Sequence, residues 1–126
     1  MLEILLNLFR RRNTTKKLLP EADIIVSFDD ECIESSRPDG LVEKARWSEL
    51  KAVLIETTDD GPFAPDVFWV LIGENDTGCV FPTGATGAGE IMKEMQKRLN
   101  DFDNESLIKA MASCENNMFL IWKSED

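Results

Sequence analysis

Histidine and tyrosine are both absent from the 126 residues. Without histidine there is no Ser-His-Asp or Cys-His nucleophilic site, no His-ligated zinc and no imidazole pH switch. The groups left that could do chemistry are carboxylates, three thiols and a glycine-rich run. That run, Thr83-Gly84-Ala85-Thr86-Gly87-Ala88-Gly89, falls between an expected strand and an expected helix, where backbone amides can cradle a phosphate. Its glycines follow a G-x-x-G-x-G order, which is not the dinucleotide spacing, and no Walker lysine follows. Glu90 and Glu94 place negative charge at the mouth and satisfy the helix dipole unaided. A flexible connection is expected there.

Carboxylates cluster at Asp29-Asp30-Glu31, at Asp59-Asp60, and at Asp101, Asp103 and Glu105. The last set has calcium-loop character, but Ser106 stands where that loop needs glycine and Ala112 where it needs a bidentate acid. Helix capping accounts for Asp103, and acids at strand turns are ordinarily solvated. Cys32, Cys79 and Cys114 are an odd number with no short spacing, so neither a disulfide framework nor a zinc knuckle is expected. Each sits in an apolar context, which reads as a buried free thiol in a reducing cytosol. No cofactor, no metal and no catalytic residue is expected.

Two stretches read instead as contact surfaces. The turn from Asp59 to Asp66 holds Phe63 between Pro62 and Pro65, beside three acids. Prolines lower the ordering cost of such a loop, which suits a binding edge, and Asp59, Asp60, Phe63 and Asp66 are the expected partner-binding residues. The other reading is that Phe63 tucks back over the end of the sheet as a plug. The second stretch, Met1 to Arg12, carries Leu2, Leu5, Leu6 and Phe9 at helical spacing, widened by Ile4 and Leu8, and runs into Arg10, Arg11 and Arg12. Such a helix can lie on an anionic membrane surface, dock on its own domain, or form a homo-oligomer contact. It is too short to span a bilayer and lacks the order of a signal peptide.

The charge separates these two regions. Net charge is -10, yet residues 1–20 hold five bases against one acid, a net of +4, and the remainder nine bases against 23 acids, a net of -14. An acidic body repels a phosphate backbone, so nucleic acid is not an expected partner. It favours capture of basic partners. The length suits one domain at 21–126 behind a helix and basic linker at 1–20.

Element order follows from periodicity. Period-two alternation begins at Asp23, turns at Asp29-Asp30 into Glu31 to Arg37, and turns again at Pro38-Asp39-Gly40 into Leu41 to Trp47. Lys51 to Thr58 is a further strand. Val67 to Ile72 is apolar throughout, as in a central strand covered on both faces. Cys79 to Phe81 follows, then helices at Glu90 to Leu99 and Asp103 to Ser113, capped by Asp103 or Asn104, and a last strand at Met118 to Trp122. Short connections leave no room for crossover helices. The expected fold is therefore α+β: a mainly antiparallel bent sheet or roll of about six to seven strands with two late helices. A helix over its open end would bury all three tryptophans.

This element order resembles pleckstrin-homology-like (PH-like) domains of bacterial type, departing from them in its two late helices and final strand. A closer resemblance lies in Trp47-Ser48-Glu49-Leu50, in Thr57-Thr58-Asp59-Asp60-Gly61-Pro62-Phe63 and Asp66-Val67-Phe68-Trp69-Val70-Leu71, and in Phe102-Asp103-Asn104-Glu105 with Ala110-Met111-Ala112-Ser113. These stretches are similar to a group of small bacterial proteins with no assigned activity, over roughly two-thirds of the chain. The resemblance implies a bacterial cytoplasmic protein and supplies no catalytic residues. The functional expectation is a non-catalytic interaction protein that captures a basic protein partner, in the manner of an immunity protein. Its alternative is a peripheral membrane module anchored by residues 1–17.

Overall fold

The computed structural model describes residues 21–58, 67–75, 77–113 and 115–125. A 3-10 turn at Glu21–Asp23 leads into strands β1 (Ile25–Phe28), β2 (Cys32–Ser36) and β3 (Val42–Arg46). After a second 3-10 turn, Trp47–Glu49, come β4 (Leu50–Thr57), β5 (Val67–Gly73) and β6 (Gly78–Pro82). Helices α1 (Ala88–Arg98) and α2 (Asn104–Ala112) precede β7 (Asn117–Lys123). The fold is α+β, with two antiparallel sheets ordered β1-β2-β3 and β6-β5-β4-β7.

Local chemistry sets the turns. The Asp29 carboxylate accepts from the amides of Glu31 and Cys32, which folds β1 back onto β2. Between β2 and β3, Gly40 takes a left-handed φ of 93° and donates its amide to the Arg37 carbonyl. α2 starts where Asp103 accepts from the Ser106 amide and hydroxyl.

Strand β5 is interior to its sheet and buried on both faces. Trp69 and Leu71 join Val53, Ile55, Cys79, Phe81 and Ile121 in the main core, with Val26, Ile33 and Ala45 from the first sheet and Ile24 from just before β1. The helices complete that core through Ile91, Met95, Leu107 and Ala110. On the opposite face Val70 and Ile72 join Ala52, Leu54 and Val80 in a second apolar cluster. The expectation of three buried tryptophans holds only for Trp69. Trp47 and Trp122 are half-buried, because each indole N–H reaches a loop carbonyl, of Asp29 and Asn100 respectively.

The glycine-rich run is a brace, contrary to the flexible connection expected. Thr86 bridges the outer edge of β1: the Val26 amide donates to the Thr86 carbonyl and the Thr86 amide to that of Ile24. The Thr86 hydroxyl also donates to the Ala22 carbonyl. Edge amides that a phosphate site would need are thus spent on the chain itself.

Where the two sheets meet, β3 runs beside β6 without a backbone ladder. There the buried Glu43 carboxylate accepts the Val80 amide at 3.0 Å. The Cys79 thiol lies 3.6 Å from the Ile33 carbonyl and 3.7 Å from that of Glu43. Burial, with Glu43 and Glu34 nearby, pushes this thiol far above the ordinary cysteine range. A thiol-specific reagent applied to the folded protein should therefore leave Cys79 unmodified, and unfolding should release it. Mass-spectrometric mapping of the modified cysteines checks this. Cys32 is only half-buried, which corrects the expectation that every thiol is interior, and Cys114 lies outside the described residues.

Candidate interaction surface

The expected partner-binding residues Asp59, Asp60, Phe63 and Asp66 lie outside the described residues, as do Leu2, Leu5, Leu6, Phe9, Arg10, Arg11 and Arg12. The strands that carry the 59–66 turn are described. Thr57 pairs with Val67, so the turn leaves and re-enters at one end of the four-stranded sheet. At that end the Thr57 hydroxyl lies 2.7 Å from the Glu115 carbonyl and 3.2 Å from the Ser113 hydroxyl. The turn is therefore rooted beside the connection between α2 and β7, and Glu56, Thr57, Asn116, Asn117 and Met118 line a cleft of about 270 Å³ there.

Helix α2 has two unlike faces. Leu107 and Ala110 are buried against β4 and β7, while Ile108 is 70% exposed and Met111 44% exposed. Asp101, Asp103, Glu105 and Glu115 are exposed on the helix and its flanking turns, as is Lys109. Beside the helix, β7 pairs with β4 alone among the described residues, and its exposed Leu120 lies opposite Leu54, on the sheet face away from α2. A bulge opposite Val53 and Leu54 leaves Ile121 out of the β4 register, and its carbonyl accepts the Asp103 amide at 2.9 Å. Ile108 and Met111 thus form an apolar patch on α2 that water solvates poorly, with Glu105 and Lys109 exposed on the same helix. The spacing of Leu107, Ile108, Met111 and Cys114 reads as a single apolar stripe, and the structure corrects it: Leu107 is buried while Ile108 and Met111 face outward.

Asp103 and Asp29 both accept backbone amides, and those bonds hold their carboxyls below the ordinary aspartate range. The lowered folded value means that their stabilisation is complete above the unfolded range near pH 4. It is lost as pH falls further, through the folded values. Thermal unfolding followed from pH 7 to 2 should show that acid loss, and Asp103→Asn should make it shallower.

A second concavity, of about 670 Å³, is lined by Asp30, Glu31, Arg46, Trp47, Ser48, Arg98 and Leu99. The Arg98 guanidinium stacks 4.6 Å from the Trp47 ring, pairs with Glu94 one helical turn back, and reaches Asp30 at 3.3 Å. Phe28 meets the same indole edge-on, with centroids 6.3 Å apart. These contacts clasp the end of α1 to the β1–β2 turn and the β3–β4 connection. Arg98's charge and Trp47's ring face are thereby engaged within the chain. No group of three or more Cys, Asp or Glu among the described residues is placed to hold a metal ion. No described helix is long and apolar enough to cross a membrane.

No protein-family model, no curated protein and no solved structure matches the chain.

Proposed function

We propose that this chain is a non-catalytic interaction protein that captures a protein partner with a basic, partly apolar surface. The observation that carries the reading is the outward face of α2, where Ile108 and Met111 stand exposed on a helix whose flanking turns carry exposed acids. Apolar anchors inside a charged rim are the anatomy of a protein interface, and the acidic field steers a cationic partner toward it. The expected binding turn at 59–66 is rooted at the same end of the sheet and would extend this surface with Asp59, Asp60, Phe63 and Asp66. A bacterial cytoplasmic setting, an immunity-like role and a PH-like relationship belong to the same proposal. Size, charge and two antiparallel sheets support them at the level of analogy, while the two late helices and final strand depart from the PH-like pattern.

The test is an affinity titration against the partner recovered on the immobilised chain and then purified. Affinity should fall steeply between about 50 and 300 mM salt. Ile108→Glu should weaken binding at least tenfold, the loss of one buried anchor. Asp59→Lys combined with Asp60→Lys should weaken it further, through a slower on-rate. Salt-independent capture, or full affinity in Ile108→Glu, would overturn the reading.

A further inference from the structure

The outer face of the three-stranded sheet keeps two large apolar side chains in water. Alternation along the strands places Ile25, Ser36 and Val42 on this face, with Glu34, Lys44 and Arg46 farther along it. Ile25 is 55% and Val42 49% exposed, and neither belongs to a core cluster. The strand register puts the two in one row, with Ser36 between them. Two strand spacings, about 10 Å, separate these walls, and the residue between them is small. The row is therefore a trough centred on β2. Beside Glu34 and Lys44 the same face holds a hollow of about 160 Å³.

This face also departs from the chain in charge. Lys44 and Arg46 stand there against Glu34, on a chain whose net charge is -10. Glu34 is bridged to Lys44 at 3.4 Å, and Arg46 forms no ion pair among the described residues. The trough is apolar at the Ser36 row and cationic toward Arg46, at the other end of β3.

Helix α2 carries the matching shape and sign. Glu105, Ile108 and Met111 recur at every third residue, so they form one ridge, and all three are exposed. The ridge is apolar at Ile108 and Met111 and anionic at Glu105, with exposed Asp101 and Asp103 just before it. Nine helical residues span about 13.5 Å and a five-residue strand about 17 Å, so the ridge fits along β2. Laid parallel to β2, it seats Met111 and Ile108 near Ser36, between Ile25 and Val42, and brings Glu105 toward Arg46. Both surfaces are exposed within one chain, so the contact lies between copies. We propose that the α2 ridge docks in the β2 trough of a second copy, and that copies associate head to tail. The two surfaces differ, so the interface is heterologous and every open assembly ends in one free ridge and one free trough. The inference rests on the reading of α2 as a binding face and supplies its partner, another copy of this chain.

The test is sedimentation velocity on the full chain from about 10 to about 1,000 μM, the range of a weak transient contact. The average mass should rise with concentration past that of a dimer. Ile108→Glu and Val42→Glu, both at exposed positions, should each weaken association at least tenfold when alone. Mixed in equal amounts they should form a 1:1 pair and go no further, because the first variant keeps its trough and the second its ridge. That recovery also shows that both variants are folded. A chain that stays monomeric throughout overturns the proposal. So does loss of association in only one of the two variants, or a mixture that does not pair. If the monomeric chain still binds a basic partner that Ile108→Glu releases, self-docking fails while the reading of α2 stands.

Discussion

Gly87→Ala is expected to cost about 3 kcal/mol or more of folding stability, while Gly89→Ala, two residues on, should gain about 0.5–1 kcal/mol. Gly87 precedes α1 with φ at 93°, a conformation that strains any side chain. A Cβ there would sit 2.0 Å from the Val26 carbonyl oxygen. Relief requires the loop to leave β1, which breaks both backbone bonds between Thr86 and that strand. Gly89 lies inside α1 with nothing within 4 Å of an added Cβ, so only the helix preference of alanine acts. Opposite signs from neighbouring glycines in urea unfolding would establish the loop as a brace. A mild effect at Gly87 would restore the flexible connection.

Glu43→Ala is expected to be the second large loss, about 2–4 kcal/mol, because it strands the Val80 amide in the interior. Glu43 and Val80 lie on strands that are neighbours without a ladder, so this side chain substitutes for a missing backbone bond. Glu43→Gln keeps an acceptor oxygen and should recover part of the loss. Equal destabilisation by both variants would shift the cause from the amide to the charge itself. Chemical denaturation of the two proteins separates these outcomes.

Neither effect was legible in the sequence, for a common physical reason. Gly87 meets Val26, and Glu43 meets Val80, across long separations along the chain, and no periodicity reports such contacts. The same holds for the clasp of Arg98 on Trp47. Local signals were more informative. The Pro38-Asp39-Gly40 turn, the Asp103 cap and the apolar run of β5 each encode their structure in adjacent residues. Strand and helix positions followed within a residue or two at most ends. Amphipathic spacing failed at α2, since Ile108 and Met111 fit the apolar pattern and yet face outward. Hydrophobicity selects a face of a helix but does not say whether protein or a partner covers it.

The most direct test of the interaction proposal is amide chemical-shift mapping of the labelled chain as its purified partner is added. Perturbations concentrated on residues 104–120, and on the 59–66 turn rooted beside them, are the predicted result. Perturbations confined to the Trp47 and Arg98 clasp, with α2 unchanged, would contradict it.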